Sequence, residues 1–129
     1  MTAREFPYIR EKGRYLPMVP VSVGNLFQTY AIVDSGAEIS LFRPEIANLL
    51  GLQIEKGERI DLTGIGGRIV VYKHIVPLTV ADWKLECRIA FSYEFTASVN
   101  ILGRNNFFHF FLVKFDELRR ITVLEKRSA

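Results

Sequence analysis

An aspartate at the end of an apolar run raises a chemical question. In AIVDSGAEISLF, residues 31–42, Asp34 follows Ala31-Ile32-Val33 directly and is followed by the small turn Ser35-Gly36-Ala37. A carboxylate partly buried behind such a strand is costly unless something pairs with it, and Ser-Gly-Ala is too small to shield it. A strand that ends in Asp and turns at once through Gly can present the carboxylate outward for acid–base work. Gly36 leaves its backbone open to close approach by another chain, and the Ser35 hydroxyl can donate a hydrogen bond that fixes the turn. An Asx turn or a plain acidic surface loop fits the same four residues.

Two further stretches bear on chemistry. Thr63-Gly64-Ile65-Gly66-Gly67-Arg68 is a glycine-rich tip with open amides. A phosphate cradle would need Gly-Lys-Ser/Thr and a following helix, whereas Arg-Ile-Val-Val-Tyr follows here and reads as strand. A hairpin lid that closes on a ligand and a loose β-turn both remain open for it. Asn100-Ile101-Leu102-Gly103-Arg104-Asn105 reads as a strand end, a glycine and a helix start, a common packing junction that says little alone.

The elements that must carry these groups are short strands. Val19, Val21 and Val23 alternate with Pro20 and Ser22, and Gly24-Asn25 supplies a turn into a strand from Phe27 to Val33. A short strand is expected at 39–42. Pro44 and Gly51 bracket one short helix. Strands are expected at 58–63, 68–80 and 84–91, the last with Leu85, Cys87, Ile89 and Phe91 on one face, and at SVNIL. RNNFFHF reads as one or two helical turns, and FLVKF and ITVLE as strands about an Asp116-Glu117 turn. The expectation is a mostly-β domain, a closed barrel or sandwich with one or two short helices. It forms a single domain over 1–129, with an extended arm at 1–16 and a C-terminal hairpin at 111–125.

Composition narrows the class. The chain has 129 residues, 49% of them apolar, with ten Phe and five Tyr, enough for a core and unlike a disordered chain. The net charge of +3 is modest and its Lys and Arg are mixed with Asp and Glu, which argues against a nucleic-acid partner. FFHFF at 107–111 reads as core. The single Cys87 reads as a buried free thiol. His74, Cys87 and His109 lack zinc spacing, so no metal and no cofactor is expected. No signal-like or membrane-spanning segment stands out, so a cytoplasmic protein without a membrane partner is expected.

Taken together and in this order, the three motifs resemble those of the retropepsins, the single-domain aspartic peptidases of retroviruses, retroelements and some cellular proteins. The resemblance runs from Pro17 to at least Phe110. It implies the acid-protease barrel, one lobe per chain, and a homodimeric aspartic endopeptidase acting on extended polypeptides. Asp34 then looks like the catalytic carboxylate, with Ser35, Gly36 and Ala37 as its turn and support. Thr63, Gly64, Ile65, Gly66 and Gly67 look like the flap. Ile32, Glu38, Leu41, Leu62 and Ile101 fall on substrate-pocket positions. Leu102, Gly103 and Arg104 look like the segment crossing beneath the site, and Glu38 and Arg104 match an acid–arginine pair, with Glu in place of the usual Asp. Both ends of the chain depart from the retroviral pattern. One D-S-G turn per chain implies that the second carboxylate is Asp34 of another copy. A catalytically weak dimerisation or peptide-binding module is the alternative function for the same motifs.

Overall fold

The computed structural model describes residues 2–64 and 67–128; Ile65 and Gly66, at the expected flap tip, lie outside them. The chain begins with three short strands, β1 (Ala3–Pro7), β2 (Ile9–Glu11) and β3 (Arg14–Leu16). In β4 (Met18–Val23) the three valines are buried and Pro20 is exposed, the period-2 alternation that a half-buried strand requires. The Gly24-Asn25 turn leads into β5 (Phe27–Val33), closed by a hydrogen bond from the Leu26 N–H to the Val23 carbonyl at 3.0 Å.

After the Asp34 turn come β6 (Ser40–Phe42) and α1 (Pro44–Leu50). Proline occupies the first turn of α1, where a missing N–H costs nothing. Gly51 closes the helix in the left-handed conformation, and Ile46 and Ala47 face the core. A 3-10 turn at Ile54–Lys56 precedes β7 (Glu58–Gly64), which pairs with the long β8 (Gly67–Val80) as an antiparallel hairpin. The second half of β8 pairs with β9 (Trp83–Phe91). Then follow β10 (Asn100–Leu102), one helical turn α2 (Phe107–Phe110), β11 (Phe111–Asp116) and β12 (Ile121–Lys126).

Six strands close on themselves in the order β4-β5-β10-β6-β9-β8, with β8 pairing back to β4. Closure removes the exposed edges that an open sheet would leave. The short β10 lies parallel to β5 on one side and antiparallel to β6 on the other. It begins at Asn100, two residues later than the motif SVNIL suggests. Phe42, Phe91, Leu78, Ile89 and Leu102 fill the barrel, together with Phe107, Phe111 and Leu124 from the C-terminal part of the chain. FFHFF thus divides as its reading as core demands: Phe107 and Phe111 are buried with ring centroids 5.1 Å apart, and His109 is exposed.

The two ends of the chain meet. Strand β12 lies between β1 and β11 in a second, three-stranded sheet. The described part of the arm, residues 2–16, is therefore structured, with β1 in this sheet and β2–β3 as a separate hairpin. Among the described residues no helix is long and apolar enough to cross a membrane.

Candidate active site

Asp34 sits where the barrel stops being regular. The last residue of β5, Val33, donates its N–H to the Pro17 carbonyl at 2.9 Å, and Asp34 donates its own N–H to the Leu102 carbonyl at 3.0 Å. The chain then turns, with the Ala37 N–H bonded to the Asp34 carbonyl at 3.2 Å. The Gly36 N–H donates to Asp34 Oδ1 at 2.9 Å and so orients the carboxylate. Asp34 is half-buried, whereas Ser35 and Gly36 are exposed.

The segment Leu102–Asn105 holds this turn from below. Besides the Asp34–Leu102 bond, the Gly103 N–H donates to the buried Ser40 Oγ at 3.0 Å. The Arg104 N–H reaches the Ala37 carbonyl at 2.9 Å and the Asn105 N–H the Glu38 carbonyl at 2.7 Å. Gly103 must be glycine: a Cβ there would lie 2.3 Å from the Ile39 carbonyl oxygen and 3.0 Å from that of Ala37. The ILGR junction, weakly informative as sequence, is thus a cradle bonded to the Asp34 turn along its length.

Two positioning residues escaped the sequence reading. Asn100 donates from Nδ2 to the Tyr30 carbonyl at 3.0 Å and accepts the Arg43 N–H at Oδ1 at 2.8 Å, tying β5 to the start of α1. Ser40 is the second. Both are polar side chains buried in apolar strands, and buried polar groups are expected to be hydrogen-bonded. That rule was the available signal.

The β7–β8 hairpin and the Asp34 turn border a cleft of about 560 Å³. The turn contributes Gly36, Ala37 and Glu38, and β6 contributes Leu41. The hairpin contributes Leu62, Thr63, Gly67 and Ile69, and the crossing segment Ile101 and Arg104. Leu41 packs with Val71 and Ala90 in a small apolar cluster that also takes in Ile60, Leu62 and Ile69. Near the tip of the hairpin, Arg68 donates to Asp61 Oδ2 at 2.7 Å. That hydrogen bond, with the nearby Arg59, holds the Asp61 carboxyl below its ordinary range.

Two placements differ from the rest. Ile32, like Asp34 itself, lies outside the lining of this cleft. Strand alternation puts its side chain on the same face of β5 as Asp34, and it borders a neighbouring groove of about 350 Å³ with Asp34, Ser35, Tyr8, Pro17, Phe115 and Glu117. Glu38 and Arg104 share the cleft but form no ion pair with each other. The two segments are joined instead through their backbones, by the bonds to the carbonyls of Ala37 and Glu38. The flap residues Ile65 and Gly66 lie outside the described residues.

The remaining chemistry-bearing side chains stand apart. Cys87 is buried in the barrel, and desolvation, with a smaller contribution from Glu86, pushes its thiol up to about 12. His74 is bonded through Nε2 to the Ile54 carbonyl at 2.9 Å. No cluster suited to a metal ion occurs among the described residues.

The family profile described as aspartyl protease matches residues 19–105, a span that contains the Asp34 turn, the β7–β8 hairpin and the crossing segment. No individual curated protein matches the chain.

Proposed function

Because the chain belongs to the aspartyl protease family, we propose that two copies pair about a twofold axis and hydrolyse peptide bonds with a water held between their Asp34 carboxylates. The chemistry needs two carboxylates with different tasks. One, ionised, takes a proton from the water; the other, protonated, gives one to the scissile carbonyl oxygen. Two like charges held a few Å apart cannot both ionise cheaply, so such a pair shares one proton. The water oxygen bonds to the carbonyl carbon, and collapse of the resulting diol breaks the C–N bond as the amine leaves protonated.

One observation carries the proposal of a second chain. Every other aspartate of this chain is already paired with an arginine: Asp61 with Arg59 and Arg68, Asp82 with Arg4, Asp116 with Arg119. Asp34 is left to find its counterpart in a copy of itself, which a closed twofold dimer supplies by symmetry.

The other roles follow from position. Ser35 ties the two turns together, and Gly36 offers its backbone to the substrate. Thr63 to Gly67 form a flap that closes over an extended peptide, while Leu41, Leu62, Ile69 and Ile101 accept apolar side chains. Glu38 and Arg104, unpaired with each other, are free to bond the substrate backbone.

The test is Asp34→Asn. Cleavage of an unfolded protein at mildly acidic pH should fall by about 10⁴-fold or more, while the mass in solution and Tm stay those of the unmodified dimer. Retained cleavage in that variant overturns the assignment.

A further inference from the structure

The β2–β3 hairpin carries charge toward the site and has no role in the chemistry just described. Its two turn residues, Lys12 and Gly13, have φ of 50° and 78°. Positive φ at both marks the tight hairpin turn whose twist matches that of its strands. Register pairs Arg10 with Tyr15 and Glu11 with Arg14. One face of the hairpin is anchored: the Arg120 guanidinium lies 3.9 Å from the centre of the Tyr15 ring, and the Tyr8 N–H bonds the Arg120 carbonyl at 2.8 Å. The opposite face, with Glu11, Arg14 and Leu16, and the turn residue Lys12 border a groove of about 520 Å³.

The groove reaches the Asp34 neighbourhood through Ile32, which lies between them and borders both. Two residues along a strand are about 7 Å, and an extended peptide advances about 3.3 Å per residue. A peptide with its scissile bond over Asp34 therefore offers this groove a side chain one or two positions from the cleaved bond. Across from the hairpin the groove is bordered by Thr96 to Val99. Neither Lys12 nor Arg14 forms an ion pair among the described residues, and Glu11, the one acid bordering the groove, forms none either. The local balance is two cations to one anion, beside the aliphatic Leu16, Ile32 and Val99.

We propose that this groove is a specificity subsite that selects an acidic side chain, glutamate above all, near the cleaved bond, with Lys12 and Arg14 reading its carboxylate and the aliphatic residues its stem. The inference rests on the peptidase reading above. Exposed ion pairs are individually weak, so the preference expected is about threefold to tenfold in kcat/KM.

The test is a set of peptides alike except for Glu, Gln or Lys at each of the three positions on either side of the cleaved bond. They are assayed at about pH 6, where a glutamate side chain is ionised. At one position the order should be Glu, then Gln, then Lys. The double variant Lys12→Glu/Arg14→Glu should invert it, and Lys12→Glu alone should flatten it. In about 1 M salt, where charges are screened within about 3 Å, the wild-type preference should disappear. Tm and solution mass report whether the variants remain folded dimers. Cleavage with the same side-chain order in wild type and variants overturns the subsite and leaves the peptidase standing. Failure of the wild type to cleave any peptide overturns both.

Discussion

Replacing Gly103 with alanine would put a methyl group 2.3 Å from the Ile39 carbonyl oxygen and 2.5 Å from its carbon. Ordinary contact begins near 3.4 Å, so one of the two segments must retreat by about 1 Å. The neighbours cannot yield separately, because the Gly103 N–H is bonded to buried Ser40 and the Arg104 and Asn105 amides to the Asp34 turn. Overpacking of this kind costs about 1–3 kcal/mol. A strained or broken buried hydrogen bond adds about 1–3 kcal/mol. Out of a total stability of about 5–15 kcal/mol, the variant should still fold. Its Tm should drop by about 6–30 °C, at about 3–5 °C per kcal/mol for a chain of this length. Activity should fall further than stability explains, since about 1 Å of displacement at a reacting group costs about 100-fold. Gly57→Ala is the control. Its Cβ would lie 2.5 Å from the Lys73 carbonyl oxygen, a comparable clash at the opposite end of the β7–β8 hairpin from its tip. The assay is kcat per folded protein at a temperature well below both midpoints. Gly103→Ala should lose about 100-fold and Gly57→Ala less than about threefold at comparable loss of Tm. Equal effects on kcat, or a Gly103→Ala variant with unchanged Tm and kcat, would refute the cradle.

Three other expectations are simpler to check. The Arg68 hydrogen bond depresses the Asp61 carboxyl from its usual 3.8, so its contribution is present at neutral pH and is lost only as pH falls through the lower, folded value. KM of the wild type and of Asp61→Asn should therefore differ at pH 5–7 and converge below that value. Cys87, buried with its thiol pushed up to about 12, should resist a thiol reagent at pH 8 in the native protein and react at once after unfolding. Thr122 is fully buried, and among the described residues its hydroxyl finds no partner. Thr122→Val should raise Tm by a few degrees, since it removes an unsatisfied polar atom at nearly constant shape.

What could be read in the sequence was what is local. The strand into Asp34, the Gly24-Asn25 turn, the helix between Pro44 and Gly51 and the alternation of Leu85, Cys87, Ile89 and Phe91 all announce themselves within a few residues. What could not be read depends on partners far along the chain. The arm at 1–16 looks merely charged and extended, because β1 finds its mate in β12, more than a hundred residues away. Strand β10 is only three residues long and pairs parallel on one side and antiparallel on the other, a placement no periodicity encodes. Ile32 shows the limit from another side. The alternation along β5 gives its face, but the two grooves that Ile32 borders are built by Pro17 and the β2–β3 hairpin, outside the sequence pattern of its own strand.

The support of the Asp34 turn by residues 102–105 also sets an order of events during synthesis. When Asp34 leaves the ribosome, the strand it must lie beside does not yet exist, and about seventy further residues have to follow before the Leu102 carbonyl and the Arg104 amide can reach it. Contacts separated this far along a chain form late. On the peptidase reading proposed above, the nascent polypeptide therefore carries its aspartate as an ordinary unsupported loop while its own unfolded segments, the nearest candidate substrates, are still exposed. The topology delays assembly of the turn until most of the chain that could be damaged has been made.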